Sequence, residues 1–314
     1  MTSGEPIDVA YTWVDDRSPG YLDQLRSYAR SPHDLNPNRT RDNLELLRYS
    51  LRSLALYAPW VRNVHLFTCR PQVPRWLDTR HPRLRITHHE EVMEPRLVPT
   101  FSSFAIVLHL HRLPGLSRRF LYLEDDMLLG VRVTPGDFID GDNRLRVYPR
   151  LAGTTHEARE HDSPWTAALA NANRMLDQRF GPARRWVSHF PLAVDIGLWE
   201  DMLAEWPEAL GATRSNRFRS HGDVAPEFLY LHYARSRGRA SAASLIQSYR
   251  QAFYFPLENR LAQMRLQRAA AEVLRPKFIT MNDNFGERAE PRVETYLRGL
   301  LERWFPEPSP FERS

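Results

Sequence analysis

Residues 120–130 read FLYLEDDMLLG, an apolar run of strand length that stops abruptly at Glu124, Asp125 and Asp126. A run with no charge until its end suits a strand buried on both faces. In an open α/β sheet, ligands collect beyond the carboxyl ends of the strands, and three successive acids there offer oxygen ligands to a hard cation. A solvated acidic turn would use the same residues, so the rest of the chain has to separate the two.

Upstream, Ile7 to Val14 alternates and carries β-branched and aromatic residues, which predicts a first strand ending at Asp15 and Asp16. Ser18 to Arg30 has helical content, and the proline- and asparagine-bearing stretch 31–38 predicts a loop. Asp42, with Glu45 at capping-box spacing, predicts a helix start, and Leu44, Leu47, Leu51, Leu54 and Tyr57 mark its core face. Strands follow at 61–68 and 84–87, then a helix at 103–112 that Thr100 or Ser102 can cap. Strand and helix in this alternation predict an α/β fold whose mainly parallel sheet is joined by crossover helices.

Downstream, helices are expected at 165–180, 199–206, 227–235, 257–274 and 293–304, with a short strand at 277–281 and an irregular tail. Residues 1–150 thus read as a nucleotide-binding α/β half. Residues 151–314 read as a helical half that completes the same site, the two forming one integrated unit.

With 314 residues the chain can bury a large core, and with Cys69 alone it can form no internal disulfide or cysteine-cluster zinc site. The net charge of +5 rests on arginine far more than lysine, and arginine is the better bidentate partner for phosphate. Basic residues are interspersed with acids throughout, so nucleic acid is not the expected partner. MTSGEPIDVAYTWV lacks the order of a signal peptide, and no apolar run approaches the roughly 20 residues that span a bilayer. A soluble, cytoplasmic protein is expected, with peripheral membrane association left open.

Four blocks in order carry a resemblance. They are IDVAYTWVDD at 7–16; RDNLELLRYSLRSLALYAPWVRNVHLFT through PTFSSFAI to FLYLEDDM at 41–127; WVSHFPLAVD through RFRSHGDVAPEFLYLHY at 186–233; and FITMNDN at 278–284. The chain resembles the Stealth family of hexose-1-phosphate transferases, which includes bacterial capsular polysaccharide phosphotransferases and the animal N-acetylglucosamine-1-phosphotransferase. The resemblance implies a GT-A-like fold and a divalent cation, Mg²⁺ or Mn²⁺. It also implies transfer of a sugar phosphate from a UDP-sugar to a glycan or polysaccharide. Four positions depart from the family pattern: Glu124 stands where Asn is usual, Val107 where Glu is common, Asp16 where Gly closes the first block, and Leu192 where a second histidine follows the proline.

Such a transfer needs a cation against the diphosphate, a base for the acceptor hydroxyl, and a fixed positive charge for the phosphoryl oxygens. Within the matched blocks the resemblance implies Glu124, Asp125, Asp126 and Asp283 for the metal, with Asp283 also counted among the catalytic residues. His189 is the candidate base, because imidazole titrates near neutrality. Arg219 is the candidate phosphate clamp, with Arg217 as competitor. Asp15, Arg41, Asp42, Asn43, Arg48, Thr100, Ser102 and Asn282 are candidates for the nucleotide sugar. For Asp42, Thr100 and Ser102 helix capping is an equal alternative, and Arg48 could simply be solvated. An ordinary GT-A glycosyltransferase releasing UDP, or a non-catalytic glycan-binding relative, are the competing functions.

Overall fold

The computed structural model describes residues 5–42, 44–154, 157–159, 161–182 and 184–313. Its central strand, β1 (Asp8–Trp13), has Asp8, Val9, Ala10 and Tyr11 all at 0% exposure, so neither face meets water. Next come α1 (Tyr21–Tyr28), α2 (Leu46–Tyr57), β2 (Val64–Thr68), β3 (Leu84–His88), α3 (His89–Val92) and α4 (Ser103–Val107). Then follow β4 (Arg119–Glu124), β5 (Met127–Leu129), β6 (Leu145–Val147), β7 (Pro149–Gly153), α5 (Pro164–Phe180), β8 (Arg185–Val187) and β9 (Leu192–Asp195). The remainder is α6 (Ile196–Glu205), α7 (Pro207–Ser215), α8 (Pro226–Ser236), β10 (Ala240–Ala242), α9 (Leu245–Gln251), β11 (Ala252–Tyr254), α10 (Leu261–Leu274), β12 (Phe278–Thr280) and α11 (Pro291–Trp304).

The fold is α/β. Its main sheet runs β3-β2-β1-β4-β9, parallel except for β9, which pairs antiparallel with β4. In the register of β1 with its neighbours, Thr12 lies opposite Glu124 and Trp13 opposite Thr68. The turn bearing Asp15 and Asp16 and the acids after β4 therefore leave the sheet at the same edge. At the other edge, Asp8 takes Arg62 in an ion pair of 2.5 Å and accepts the backbone N–H groups of Asn63 and Ser117.

A small sheet, β11-β12-β5, ties the last block to the strand that follows the acids: Thr280 pairs with Met127, and Met281 N–H donates to the Asp126 carbonyl at 2.9 Å. Helix α2 supports β5 through Ser50, whose hydroxyl donates to the Met127 carbonyl at 2.5 Å, and Ser53, which accepts from Leu129 N–H at 3.0 Å. A Cβ on Gly130 would run into the Pro276 carbonyl, so the close approach of β5 to the chain entering β12 needs glycine there. Leu44 and Tyr49 join Leu128, Ile279, Met281 and Leu297 in a second core beside the main one.

Two local expectations are corrected. Helix α2 starts at Leu46, with Glu45 in the left-handed region at φ 54°; Asp42 accepts from Leu46 N–H at 3.2 Å and from the Trp13 indole at 2.9 Å. The burial of the Trp13 N–H draws Asp42 away from the capping-box geometry. The helix foreseen at 103–112 is only α4, followed by a 3₁₀ turn at Leu110–Arg112, because the His109 ring bonds the Ala105 carbonyl at 2.7 Å and turns the chain. The tail is irregular, as expected, and docked: Glu312 pairs with Arg48 at 2.6 Å and Arg52 at 2.8 Å, and Phe311 is 3% exposed. Among the described residues no helix is long and apolar enough to cross a membrane.

Candidate active site

Strand β4 buries Phe120, Leu121, Tyr122 and Leu123 almost completely, and its last residue, Glu124, emerges at the sheet edge. Asp126 follows in the turn to β5, where the hydrogen bond from Met281 fixes its backbone. Its side chain is 9% exposed, and its Oδ1 is buried without a hydrogen-bond partner. Across from it stands His189, on the link between β8 and β9. The Thr280 hydroxyl donates to the His189 carbonyl at 3.0 Å, and neighbouring Phe190 packs edge-on against Tyr148 with centroids 4.9 Å apart.

Glu124, Asp126 and His189 can each present one ligand atom, and these atoms lie within 4.8 Å of one another; His189 Nε2 is 3.6 Å from Glu124 Oε1. Two carboxylates and an imidazole around a buried, unsatisfied carboxylate oxygen form a donor set that fits a divalent cation of the Mg²⁺ or Mn²⁺ kind. Asp125 is the exception among the three consecutive acids. It lies in the turn between β4 and β5, outside the group of ligand atoms, and burial, then Asp42, Asp126 and Glu124, hold its carboxyl well above the usual range.

The remaining charges divide by sign. Burial and Glu124 push Asp126 up to about 6. Glu227, at the first turn of α8, is pushed up to about 7 by burial and Glu124, opposed by its own backbone N–H, Arg219 and His189. Burial disfavours the charged His189 ring, but Glu124, Asp126 and Glu227 outweigh it and raise its pKa. Arg219 donates to the Ser103 hydroxyl and stacks over Phe104 with its Cζ 4.5 Å from the ring centroid. Burial lowers its pKa, and Glu124 and Glu227 act against that.

The other candidates have structural partners. Arg217 donates to the Pro99 carbonyl at 2.7 Å and lies over Tyr28, so of the two arginines only Arg219 faces the acids. Arg41 grips both oxygens of Asp283, at 2.9 and 2.8 Å. Arg48 holds Glu312 of the tail instead of a ligand. Thr100 and Ser102 are 5% and 0% exposed, and Ser102 accepts from Ala105 N–H as the cap of α4. Asp15 pairs with Arg17 at 3.0 Å, and Asp42 is bonded to Trp13, with burial pushing its carboxyl up to about 7. Asn282 remains beside the site, accepting from the Tyr254 hydroxyl at 3.0 Å. Asn43 lies outside the described residues.

Glu227 went unread in the sequence because an acid in a first helical turn is ordinarily a partner of the helix dipole. Its place in the EFLYLHY block was the only available signal. Of the departures, Val107 is fully buried in the main core and Leu192 is 4% exposed in β9.

Models of the Stealth proteins match in three places: conserved region 2 over residues 39–147, conserved region 3 over 188–236 and conserved region 4 over 273–314. An exopolysaccharide phosphotransferase of Streptomyces coelicolor is 36% identical over 318 residues, covering 98% of this chain and 52% of that protein. The capsular polysaccharide phosphotransferase SacB of Neisseria meningitidis serogroup A is 28% identical over 322 residues, covering 98% of this chain and 57% of SacB. The chain thus spans about half the length of these relatives. Among solved structures, the galactosyltransferase LgtC in complex with donor and acceptor sugar analogues aligns at a TM-score of 0.42 and 14% identity, over 94% of this chain and 96% of that one.

Proposed function

The chain belongs to the Stealth family, and on that premise we propose that it transfers a sugar-1-phosphate, such as an N-acetylhexosamine-1-phosphate, from a UDP-sugar to a glycan hydroxyl, releasing UMP. The observation that supports this is the separation of charge at one sheet edge. Glu124, Asp126 and His189 form a donor set for a cation, and Arg219, whose hydrogen bonds go to a neutral hydroxyl, stands close enough to feel Glu124 and Glu227.

In this scheme the acceptor oxygen attacks the phosphorus nearest the sugar, and the bond from that phosphorus to the oxygen shared with UMP breaks. The anomeric carbon is untouched and its configuration is kept. Glu124 and Asp126 would hold the divalent cation, which when bound neutralises charge on the diphosphate. Arg219 meets the phosphoryl oxygens as they gain negative charge, and Phe104 beneath it fixes the plane of the guanidinium. His189 takes the acceptor proton at its imidazole nitrogen. The grouping of His189 with the two acids favours a second assignment, in which His189 is the third ligand and Glu227 is the base.

Incubation with a panel of UDP-sugars and Mn²⁺ tests the function: divalent-dependent UMP is expected. UDP instead would make it a glycosyltransferase, and neither product would leave a glycan-binding relative. The pH profile separates the two assignments. With His189 as base, activity rises with pH and His189→Ala flattens that limb while Mn²⁺ affinity survives. With Glu227 as base, Glu227→Gln flattens it and His189→Ala loses Mn²⁺.

A further inference from the structure

Single exposed apolar side chains are ordinary on a protein surface, whereas a group of them bordering a reactive centre marks a binding surface. Such a group adjoins the acids. Tyr254 is exposed at the end of β11, the edge strand of the small sheet β11-β12-β5. It pairs with Thr280, which pairs in turn with Met127, the residue after Asp126, so the three lie in a row across the sheet at about 5 Å per strand. Residues paired in this way share a face, and from that face the Thr280 hydroxyl reaches the His189 carbonyl at 3.0 Å. Tyr254 therefore rises on the His189 side of the sheet. Its hydroxyl donates to Asn282 Oδ1 at 3.0 Å, an oxygen that also accepts from Asn284 Nδ2 at 3.3 Å.

Two residues back along β11, about 7 Å away, the Ala252 carbonyl accepts from Arg150 at 2.5 Å. The same guanidinium lies over one face of Tyr249, with Cζ 4.6 Å from the ring centroid. Arg150 thus fixes the exposed Tyr249 ring beside the strand that carries Tyr254. The Tyr249 hydroxyl accepts from Leu151 N–H at 3.3 Å. Leu151 is itself exposed, as is Ile246, which lies one turn before Tyr249 on α9. Each tyrosine is tied down by its hydroxyl while its ring stays open to solvent. A sugar presents C–H groups on its faces and hydroxyls at its rim, and open aromatic faces with amides at their edge match both.

We propose that Tyr254 and Tyr249 form the acceptor platform, on which the glycan chain lies while its reacting hydroxyl enters at His189. The assignment rests on the transferase function for its choice of a glycan, and on the exposed rings continuous with the site for its place.

A printed array of bacterial capsular and exopolysaccharide fragments, probed with the whole protein in the presence of Mn²⁺ and UDP, tests it. Tyr254→Ala and Tyr249→Ala should each weaken the strongest wild-type signal about 10-fold. Tyr254→Phe and Tyr249→Phe should keep most of it, because the ring remains, and they stay informative where alanine disturbs folding. UDP affinity, measured by calorimetry with Mn²⁺, should be unchanged in all four. No wild-type signal, an unchanged signal in either alanine variant, or a loss in phenylalanine equal to that in alanine would each overturn the assignment. A fall in UDP affinity in step with the glycan signal would also overturn it, by moving the tyrosines to the donor. If the signal depends on the tyrosines but turnover of UDP-N-acetylglucosamine on the bound glycan yields UDP, the platform stands and the phosphotransfer function falls.

Discussion

The two edges of the main sheet treat acids in opposite ways. At the amino edge Asp8 has no exposure, and despite the cost of burial its hydrogen bonds with Arg62 and Ser117 hold its carboxyl well below the usual range. At the carboxyl edge, one strand away, Asp126 is nearly as buried but keeps an unpartnered oxygen and is pushed up to about 6. Burial alone therefore does not separate scaffold from site. What separates them is pairing: the amino edge satisfies its charge inside the fold, and the carboxyl edge leaves charge of both signs waiting for a ligand.

Substitutions at the two edges should have separable consequences. The largest effect is expected from Arg219→Ala, which should lower turnover on the order of 10³-fold or more while the melting temperature stays near wild type, as befits a cation facing developing phosphoryl charge. Steady-state rates beside a thermal melt check this; near-full turnover would pass the clamp to another cation.

Asp8→Asn should do the reverse, costing about 3 kcal/mol of stability and leaving Mn²⁺ affinity unchanged, since it breaks a buried, paired charge far from the acids. The sign of its pH dependence follows from a folded-state carboxyl held below its unfolded value. Its contribution is present above the ordinary aspartate range and is lost as pH falls through the folded value, so denaturant melts of wild type and Asp8→Asn should converge in acid.

Asp126→Asn should show the smallest change in stability and the opposite sign. Its folded-state carboxyl is raised to about 6, so the ionised form opposes folding at neutral pH and its removal should stabilise the metal-free protein by about 1–2 kcal/mol. The same substitution should abolish measurable Mn²⁺ binding. Destabilisation with intact Mn²⁺ affinity would make Asp126 part of the scaffold and erase the contrast between the edges.

Much of this contrast was legible in the letters. The apolar run before Glu124 and the β-branched run before Asp15 placed both strands, and a parallel register set their ends side by side. What the letters could not give was the direction of side chains and the identity of remote partners. Glu124 and Asp126 bring ligand atoms together with His189 while Asp125, between them, is not in that group, and only the turn geometry decides that. Asp283 looked available because its partner, Arg41, is 242 residues away, and Arg48 looked solvated because Glu312 is 264 away. Pairing is a tertiary property, which is why paired and unpaired charges read alike in sequence.

The bond that breaks is the most direct test. A UDP-sugar carrying ¹⁸O between C1 and phosphorus should be turned over with Mn²⁺ and acceptor, and the label located by mass spectrometry. Phosphotransfer at the carboxyl edge predicts that the label stays between C1 and phosphorus in the phosphodiester product and that UMP is released unlabelled. Label on released UDP would contradict it, because the sugar would then have left its phosphate behind.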